Sequence, residues 1–284
     1  MSYYGKSLRA FAVEGIPLIE MGQDIVPPLI KALDGMNETL RDNDVVIVAS
    51  KIVSKAENRI VDLREIEPSD KAIRLSKMVD KRLELIELIL QQGKLIGFSR
   101  KHILIEYESG FVGVDAAIDG GGRGGAVSSD LNIAVLLPKN PDKSAASIRE
   151  NLKNYYKTNF GLIIQDTAGR SWRRGHIGLC IGSSGIKVID NIFEDSKRRL
   201  DLYGVTTTVA AVNIGDQLAS IGNLLMGETN NGTPVVIVRG LNVVDESQSS
   251  KILNNTSIQI RENDDLQKAA AFVEVSPGIY HRKI

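Results

Sequence analysis

Three acids and a threonine stand at the ends of segments that read as regular structure. Asp119 closes "FVGVDAAID", Asp166 closes "GLIIQD" with Thr167 beside it, and Glu228 follows "IGDQLASIGNLLMG". Carboxylates and a hydroxyl, with no histidine or cysteine near them in sequence, form the hard oxygen set preferred by magnesium or manganese, above all when phosphate completes the shell. Two metals held this way could bridge phosphate oxygens and neutralise the charge that develops in phosphoryl transfer. A plainer reading stands beside it, in which acids at strand ends cap helices or face water.

Cations lie close to the same segments. Lys51 and Lys55 follow "VVIVAS", and Arg170, Arg173 and Arg174 follow Asp166. Guanidinium forks suit phosphate or carboxylate in bidentate geometry, and a lysine supplies a point charge. His176, in "RRGHIGL", reads as structural rather than as a general base, and Trp172 as core or as a ring stacked under a guanidinium. Cys180 lies among apolar neighbours in "IGLCIG" and reads as inert core rather than nucleophile.

Two glycine-rich stretches fall short of familiar phosphate-binding motifs. "DGGGRGG" contains a formal G-x-G-x-x-G at Gly120, Gly122 and Gly125, but a loop and strand follow it where a dinucleotide fingerprint needs a helix. It is either a flexible loop presenting backbone N–H groups to a charged ligand or a simple surface loop. "GETNNGT", Gly227 to Thr233, has phosphate-loop glycine spacing but no lysine before its threonine, and it follows a helix, so it is not a Walker A loop.

These residues need a scaffold. Strand-like runs occur at 44–50, 102–107, 111–119, 131–137, 161–166, 206–212 and 234–240, rich in β-branched residues and bounded by Gly, Asp, Asn or Pro. Period 2 in the third of these puts Asp115, Ala117 and Asp119 on one face. Helical periodicity runs from Asp70 to Gln92 through Ile73, Val79, Leu83, Ile86 and Leu90, with Gly93 as the stop. A second helix starts at "NPDKSAASIRENLKNYY" with Asp142 as its cap. A third carries Ile214, Leu218, Ile221 and Leu225 on one face and ends at Gly227. Strands and helices mix without strict alternation, which favours α+β with mixed sheets and packed helices. Residues 1–242 read as one catalytic unit, with the number of subdomains left open by composition. The polar stretch 243–284 reads as a C-terminal extension.

The whole chain narrows the function class. Among 284 residues, Lys plus Arg and Asp plus Glu each number 35, so no net field draws the protein to nucleic acid or to an anionic membrane. Its single cysteine excludes a disulfide framework and a multi-cysteine zinc site. No signal peptide or membrane-spanning run is present, so a cytoplasmic protein is expected.

Taken together, "VEGIPLI" (13–19), "SKIVSKAENRI" (50–60), "VDAAID" (114–119), "QDTAGRSWRRGHIGLCIGSSG" (165–185), "DLYG" (201–204), "NLLMGE" and "GTPVVIVRGLN" resemble, in order, the coenzyme F-420-0 gamma-glutamyl ligases. The resemblance covers residues 10–242. It implies a mixed α+β fold assembled as an intertwined homodimer. It also implies an enzyme that uses GTP to join L-glutamate to the carboxylate of a deazaflavin F-420 precursor, then adds glutamate through the gamma-carboxylate. Carried over by position, Asp119, Asp166, Thr167 and Glu228 are the ligands of two divalent cations, magnesium or manganese, with potassium as a further cation. The GTP-binding positions are Ile16, Pro17, Leu18, Ile19, Ser50, Lys51, Lys55, Met226, Gly227, Glu228, Thr229, Asn230, Asn231, Gly232 and Thr233.

The implied mechanism runs through an acyl phosphate, with Lys55 and Arg170 supplying catalytic charge and no covalent nucleophile on the protein. The chain departs from the family pattern at several places. "GGGRGG" stands where a serine and an asparagine usually follow the first metal acid, so that Gly122 takes the place of a nucleotide-contacting Asn. Asp115 stands for Asn, Gln165 for Thr, Lys51 for a small hydroxyl residue, and the loop before "LNIAVLL" is longer. These departures bear on nucleotide and acceptor. They keep two alternatives in view: an amide ligase of the same fold acting on another carboxylate, and a non-catalytic nucleotide- or deazaflavin-binding protein.

Overall fold

The computed structural model describes residues 7–120, 130–170, 173–191, 200–201, 203–206 and 211–254. Five strands form the main sheet: β1 (Arg9–Ala12), β2 (Val45–Ala49), β9 (Gly161–Arg170), β10 (Arg173–Ser184) and β13 (Val235–Arg239). Their order is β1-β13-β2-β9-β10. Only β2 and β9 run parallel; the other three pairings are antiparallel. β1, β2 and β9 therefore point the same way, and β13 starts at the end where those three finish.

The near-continuous apolar runs of β2, β9 and β13 reflect burial on both faces. On one face Val46, Val48, Leu162, Ile164, Val235 and Ile237 pack with α1 (Val26–Gly35) and α5 (Pro141–Tyr156). On the other, Val45, Ile47, Ile163, Val236 and Val238 pack with Ile214, Leu218 and Ala219 of α6 (Ile214–Met226). Prolines occupy the first turn of α1, where their missing N–H costs nothing. α6 is capped by Asn213, whose Oδ1 accepts from the Asp216 amide at 2.9 Å, and ends at Gly227 with φ of +68°.

A second lobe is inserted after α2 (Ser50–Ala56). It holds β3 (Ile60–Asp62), α3 (Asp70–Ser76), α4 (Leu83–Leu90), β4 (Lys94–Phe98), β5 (Ile103–Glu106), β6 (Val112–Val114), β7 (Asp119–Gly120) and β8 (Ile133–Val135). Two small antiparallel sheets, β3-β8-β7 and β4-β5-β6, share with α3 and α4 a core of their own around Leu75, Ile86, Ile89, Ile103 and Ile105. A two-stranded pair, β11 (Ile189–Asn191) with β12 (Ala211–Asn213), lies beside α6. The architecture is α+β with mixed sheets.

Several sequence expectations are corrected. The run Asp70 to Gln92 is two helices, because residues 77–82 break away: the Asp80 amide donates to the Arg100 carbonyl at 2.7 Å and Lys81 turns into the core. Ile73, placed on the buried stripe, is exposed. Asn140 caps α5, its Oδ1 accepting from the Lys143 amide at 3.1 Å, while Asp142 accepts from the amides of Ser183 and Ser250. The strand expected over 111–119 is split by a turn at Asp115–Ala117 whose three residues have φ of +53°, +53° and +47°. Asp115 and Asp119 accordingly do not share a strand face. In the run 206–212, residues 207–210 lie outside the described part. α1, α2 and β10 had no assignment from periodicity.

The polar composition from residue 243 does not end the packed body. Val243 is fully buried, Ser250 donates to the Ile181 carbonyl at 3.0 Å, and Glu246 pairs with the buried Arg149. Helix α6 also sits unusually close to β10. A Cβ on Gly178 would stand 2.2 Å from the Ala219 carbonyl oxygen. Gly178→Ala should push α6 off the sheet and destabilise the protein by about 1–3 kcal/mol. Thermal unfolding measures this, and an unchanged melting temperature would refute the close packing.

Candidate active site

The pairing of β2 with β9 builds the site. Ala49 stands opposite Gln165, so the next residues along each strand, Ser50 and Asp166, meet at the sheet end. Ser50 Oγ donates to Asp166 Oδ1 at 2.9 Å. β1 finishes at the same end, where the Val13 amide donates to the Val235 carbonyl at 2.8 Å and the chain enters the Ile16–Ile19 loop. β13 begins there too, with the Pro234 carbonyl accepting from the Ala49 amide at 2.9 Å. The segment Gly227 to Thr233 leads into it. Four stretches that are far apart in sequence thus arrive at one edge of the sheet.

The inserted lobe contributes the second acid. Asp119, in β7, reaches Lys51 of α2, with Asp119 Oδ2 and Lys51 Nζ 3.1 Å apart. The same carboxylate acts on Asp166. Burial, then the charge of Asp119, push the Asp166 carboxyl up to about 7 against the opposing pull of Ser50, the Thr167 amide and Lys51. Tyr107, whose ring packs against both the main and the inserted cores, has its hydroxyl raised by burial and then by the charge of Asp166.

Two carboxylates crowded at a partly apolar site, with the Ser50 hydroxyl on one of them, are a hard-oxygen donor set whose mutual repulsion a divalent cation relieves. The residues present fit such a cation. Glu228 is exposed on the loop after α6. Among the described residues, no group of three or more His, Cys, Asp or Glu side chains could hold a metal ion, so Glu228 does not complete a triad with Asp119 and Asp166 in the single chain.

The other expected site residues divide as follows. Ile19 is buried, Ile16 half-buried, and Pro17 and Leu18 exposed, the last at 91%. Their loop runs over α2, where the Gly22 amide donates to the Lys55 carbonyl at 3.0 Å and the Lys55 side chain is half-buried. Lys51 and Lys55 thus lie on a helix. Met226 is buried, and its Sδ accepts from Gln165 Nε2 at 3.2 Å. Gly227, Thr229, Asn230, Asn231 and Gly232 are exposed. The turn at Gly227 requires glycine for its positive φ; a Cβ there would also displace the exposed Asn231 side chain, 2.7 Å away. Thr233 Oγ1 donates to the Leu225 carbonyl at 3.4 Å. The backbone of Arg170 ends β9; its side chain, Trp172, Gly122 and Gly125 lie outside what is described. Arg174 and His176 are exposed. Cys180 is buried and its thiol is pushed far up by burial, as inert core requires.

Sequence reasoning missed the partners that surround Asp115, four residues before Asp119. Lys81 Nζ lies 3.0 Å from both oxygens of Asp115, the Ile103 amide donates to Asp115 Oδ1 at 3.0 Å, and His102 Nδ1 is 3.4 Å from Oδ2. Tyr107 Oη donates to the Ala116 carbonyl at 2.5 Å. A left-handed backbone on non-glycine residues costs on the order of 1–2 kcal/mol each, so these contacts hold a strained turn. The sequence signal was Asp115 itself, standing where the resemblance leads one to expect Asn; nothing in the sequence pointed to Lys81 as its partner.

A family model described as F420-0:Gamma-glutamyl ligase matches residues 15–240. Curated relatives are similar over most of the chain. The Coenzyme F420:L-glutamate ligase of Methanothermobacter thermautotrophicus is 37% identical over 234 residues, covering 82% of this chain and 89% of the relative. That of Archaeoglobus fulgidus is 35% identical over 245 residues, covering 86% and 92%, and that of Methanosarcina mazei 35% over 244 residues, covering 85% and 89%.

The carboxylate pair generates a pH prediction for the metal-free protein. Asp166 has a folded pKa near 7, above its unfolded value, so the folded state holds the extra proton between those values and loses stability as pH rises through that window. Asp166→Asn, which removes the charge, should raise the melting temperature by several degrees at about pH 8 and by progressively less toward about pH 4. A gap that widens toward acid would contradict the crowding of the two acids.

Proposed function

The chain belongs to the F420-0:gamma-glutamyl ligase family, and from that premise we propose that it uses GTP to join L-glutamate to the deazaflavin precursor F420-0, as a cytoplasmic intertwined homodimer. One observation carries the reading. The Ile16–Ile19 loop, Ser50 with Lys51, Asp166 with Thr167, and the Gly227–Thr233 loop converge at one end of the sheet, and the inserted lobe adds Asp119 to them.

The reaction divides into two displacements. A carboxylate oxygen of the precursor attacks the γ-phosphorus of GTP, forming an acyl phosphate and releasing GDP. The glutamate amine then attacks the acyl carbon, the carbon–oxygen bond to phosphate breaks, and the amine gives up a proton. Asp119, Asp166 and Thr167, with Glu228 brought in from its loop, would hold magnesium or manganese, which would supply electrostatic neutralisation of phosphate oxygens.

The protein groups prepare that chemistry. Ser50 fixes the rotamer of Asp166 by its hydrogen bond, and Lys51 balances Asp119 until substrate arrives. Lys55, on the same helix, and Arg170, at the end of β9, are the cations assigned to the transferred phosphoryl group. The loop over α2 and the Gly227–Thr233 loop bound the nucleotide and exclude water from the acyl phosphate. The buried, strongly proton-retaining thiol of Cys180 fits a mechanism with no covalent intermediate on the enzyme.

A second reading keeps the chemistry and changes the acceptor. It is favoured by Lys51, which occupies the carboxylate of Asp119 where the resemblance leads one to expect a small hydroxyl residue.

Mass spectrometry of F420-0 incubated with the protein, GTP, manganese and L-glutamate tests the first reading. A gain of glutamyl units that requires GTP is expected. An unchanged precursor, with glutamate-dependent phosphate release on another carboxylate, would transfer the assignment to the second. No phosphate release with any acceptor would leave a non-catalytic binding protein. Asp166→Ala should lower kcat by about a hundredfold or more, and near-normal turnover would overturn the site. A monomer by light scattering would overturn the dimer.

A further inference from the structure

The Lys81–Asp115 pair has the marks of a device rather than of ordinary core. Its side chains are 1% and 6% exposed, and removing two charges from water gains little net stability over an apolar pair of similar volume. It sits on the one run of three consecutive non-glycine residues with left-handed backbone among the described residues. Such strain persists only where the surroundings over-determine it. Here they do: Asp115 is held by Lys81, by the Ile103 amide and by His102, and the next carbonyl, Ala116, by Tyr107 Oη. Ala116 is itself fully buried.

The turn has one evident output. Ile118 follows in the inserted core, and the chain then enters β7, whose two residues pair with Val135 and Ala134 and whose first is Asp119. A two-residue strand fixes its own direction weakly. The angle at which Asp119 leaves the lobe toward Lys51 and Asp166 is therefore set by the turn before it. Tyr107 closes the circuit, because the hydroxyl that binds Ala116 also feels the charge of Asp166.

We infer that Lys81, Asp115 and Tyr107 are positioning residues: they lock the left-handed turn Asp115–Ala117 and so hold the Asp119 carboxylate where it faces Lys51, ready to take a divalent cation. This rests on the reading of Asp119 as a metal ligand given above. None of the three touches the cation; they act through the backbone on Asp119.

The test is a double-mutant cycle read by Mn2+ affinity, with the free ion followed by electron paramagnetic resonance. Asp119→Asn should weaken Mn2+ binding by about tenfold or more, and Asp115→Ala by a similar factor, as expected for loss of a ligand or of its support. The double variant should bind no more weakly than Asp119→Asn alone, because the two act on one group. Asp115→Asn, an isostere that tolerates left-handed φ and keeps an acceptor for the Ile103 amide, should recover most of the affinity. Tyr107→Phe, which removes only the bond to Ala116, provides a milder variant should Asp115→Ala fail to fold, and should weaken Mn2+ severalfold.

Wild-type Mn2+ affinity in folded Asp115→Ala and Tyr107→Phe, or losses that add in the double variant, would overturn the inference. Wild-type affinity in Asp119→Asn would overturn the metal reading itself, and the positioning role with it.

Discussion

Everything at the site depends on one pairing, the parallel register of β2 on β9. The two strands are buried on both faces, and a slip by one residue would turn each apolar side chain toward the wrong core. Register is therefore fixed by the aliphatic pattern of "VVIVA" and "GLIIQ", far from any polar chemistry. Ser50 and Asp166 inherit their contact from it. The flanking strands β1 and β13 add their loops at the same end because their directions relative to β2 leave no other.

Onto this frame the protein imposes an electrostatic cost. A chain with no net charge gathers Asp119, Asp166 and Lys51 within a small space, and the carboxyl of Asp166 is raised by burial and by its neighbour. The charges are offset by local compensation: Lys51 against Asp119, the Ser50 hydroxyl against Asp166. A site tolerates such crowding when a ligand of opposite charge is to be received, since each unit of repulsion relieved on binding adds to affinity.

The central strands, α5 and α6 were legible because their apolar periods are dictated by burial. The acids at their ends were legible because strand ends are where side chains leave the core. What periodicity could not show was set by tertiary contacts. Lys81 sits in a run that keeps helical spacing across a break, because the break answers to Arg100 and Asp115 in distant segments. Asp115 keeps strand-like neighbours across a turn that only its buried partners stabilise. β10 escaped notice because its small residues, Gly178 and Gly182 among them, were chosen for the close approach of α6 and α5 rather than for β-propensity. Asn140 and Asp142 both lie where a cap could be, and geometry alone decides between them.

The two acids belong to different cores. Asp166 extends from a strand locked in the main sheet, while Asp119 is carried by a lobe with its own apolar interior, joined to the sheet at both ends by continuous chain. Their supports meet only through residues such as Tyr107 and Ala117 that pack on the main core from the lobe. Substitutions inside the lobe can therefore shift one carboxylate while the strand bearing the other stays as it is, which makes the spacing between the acids adjustable without rebuilding the main sheet.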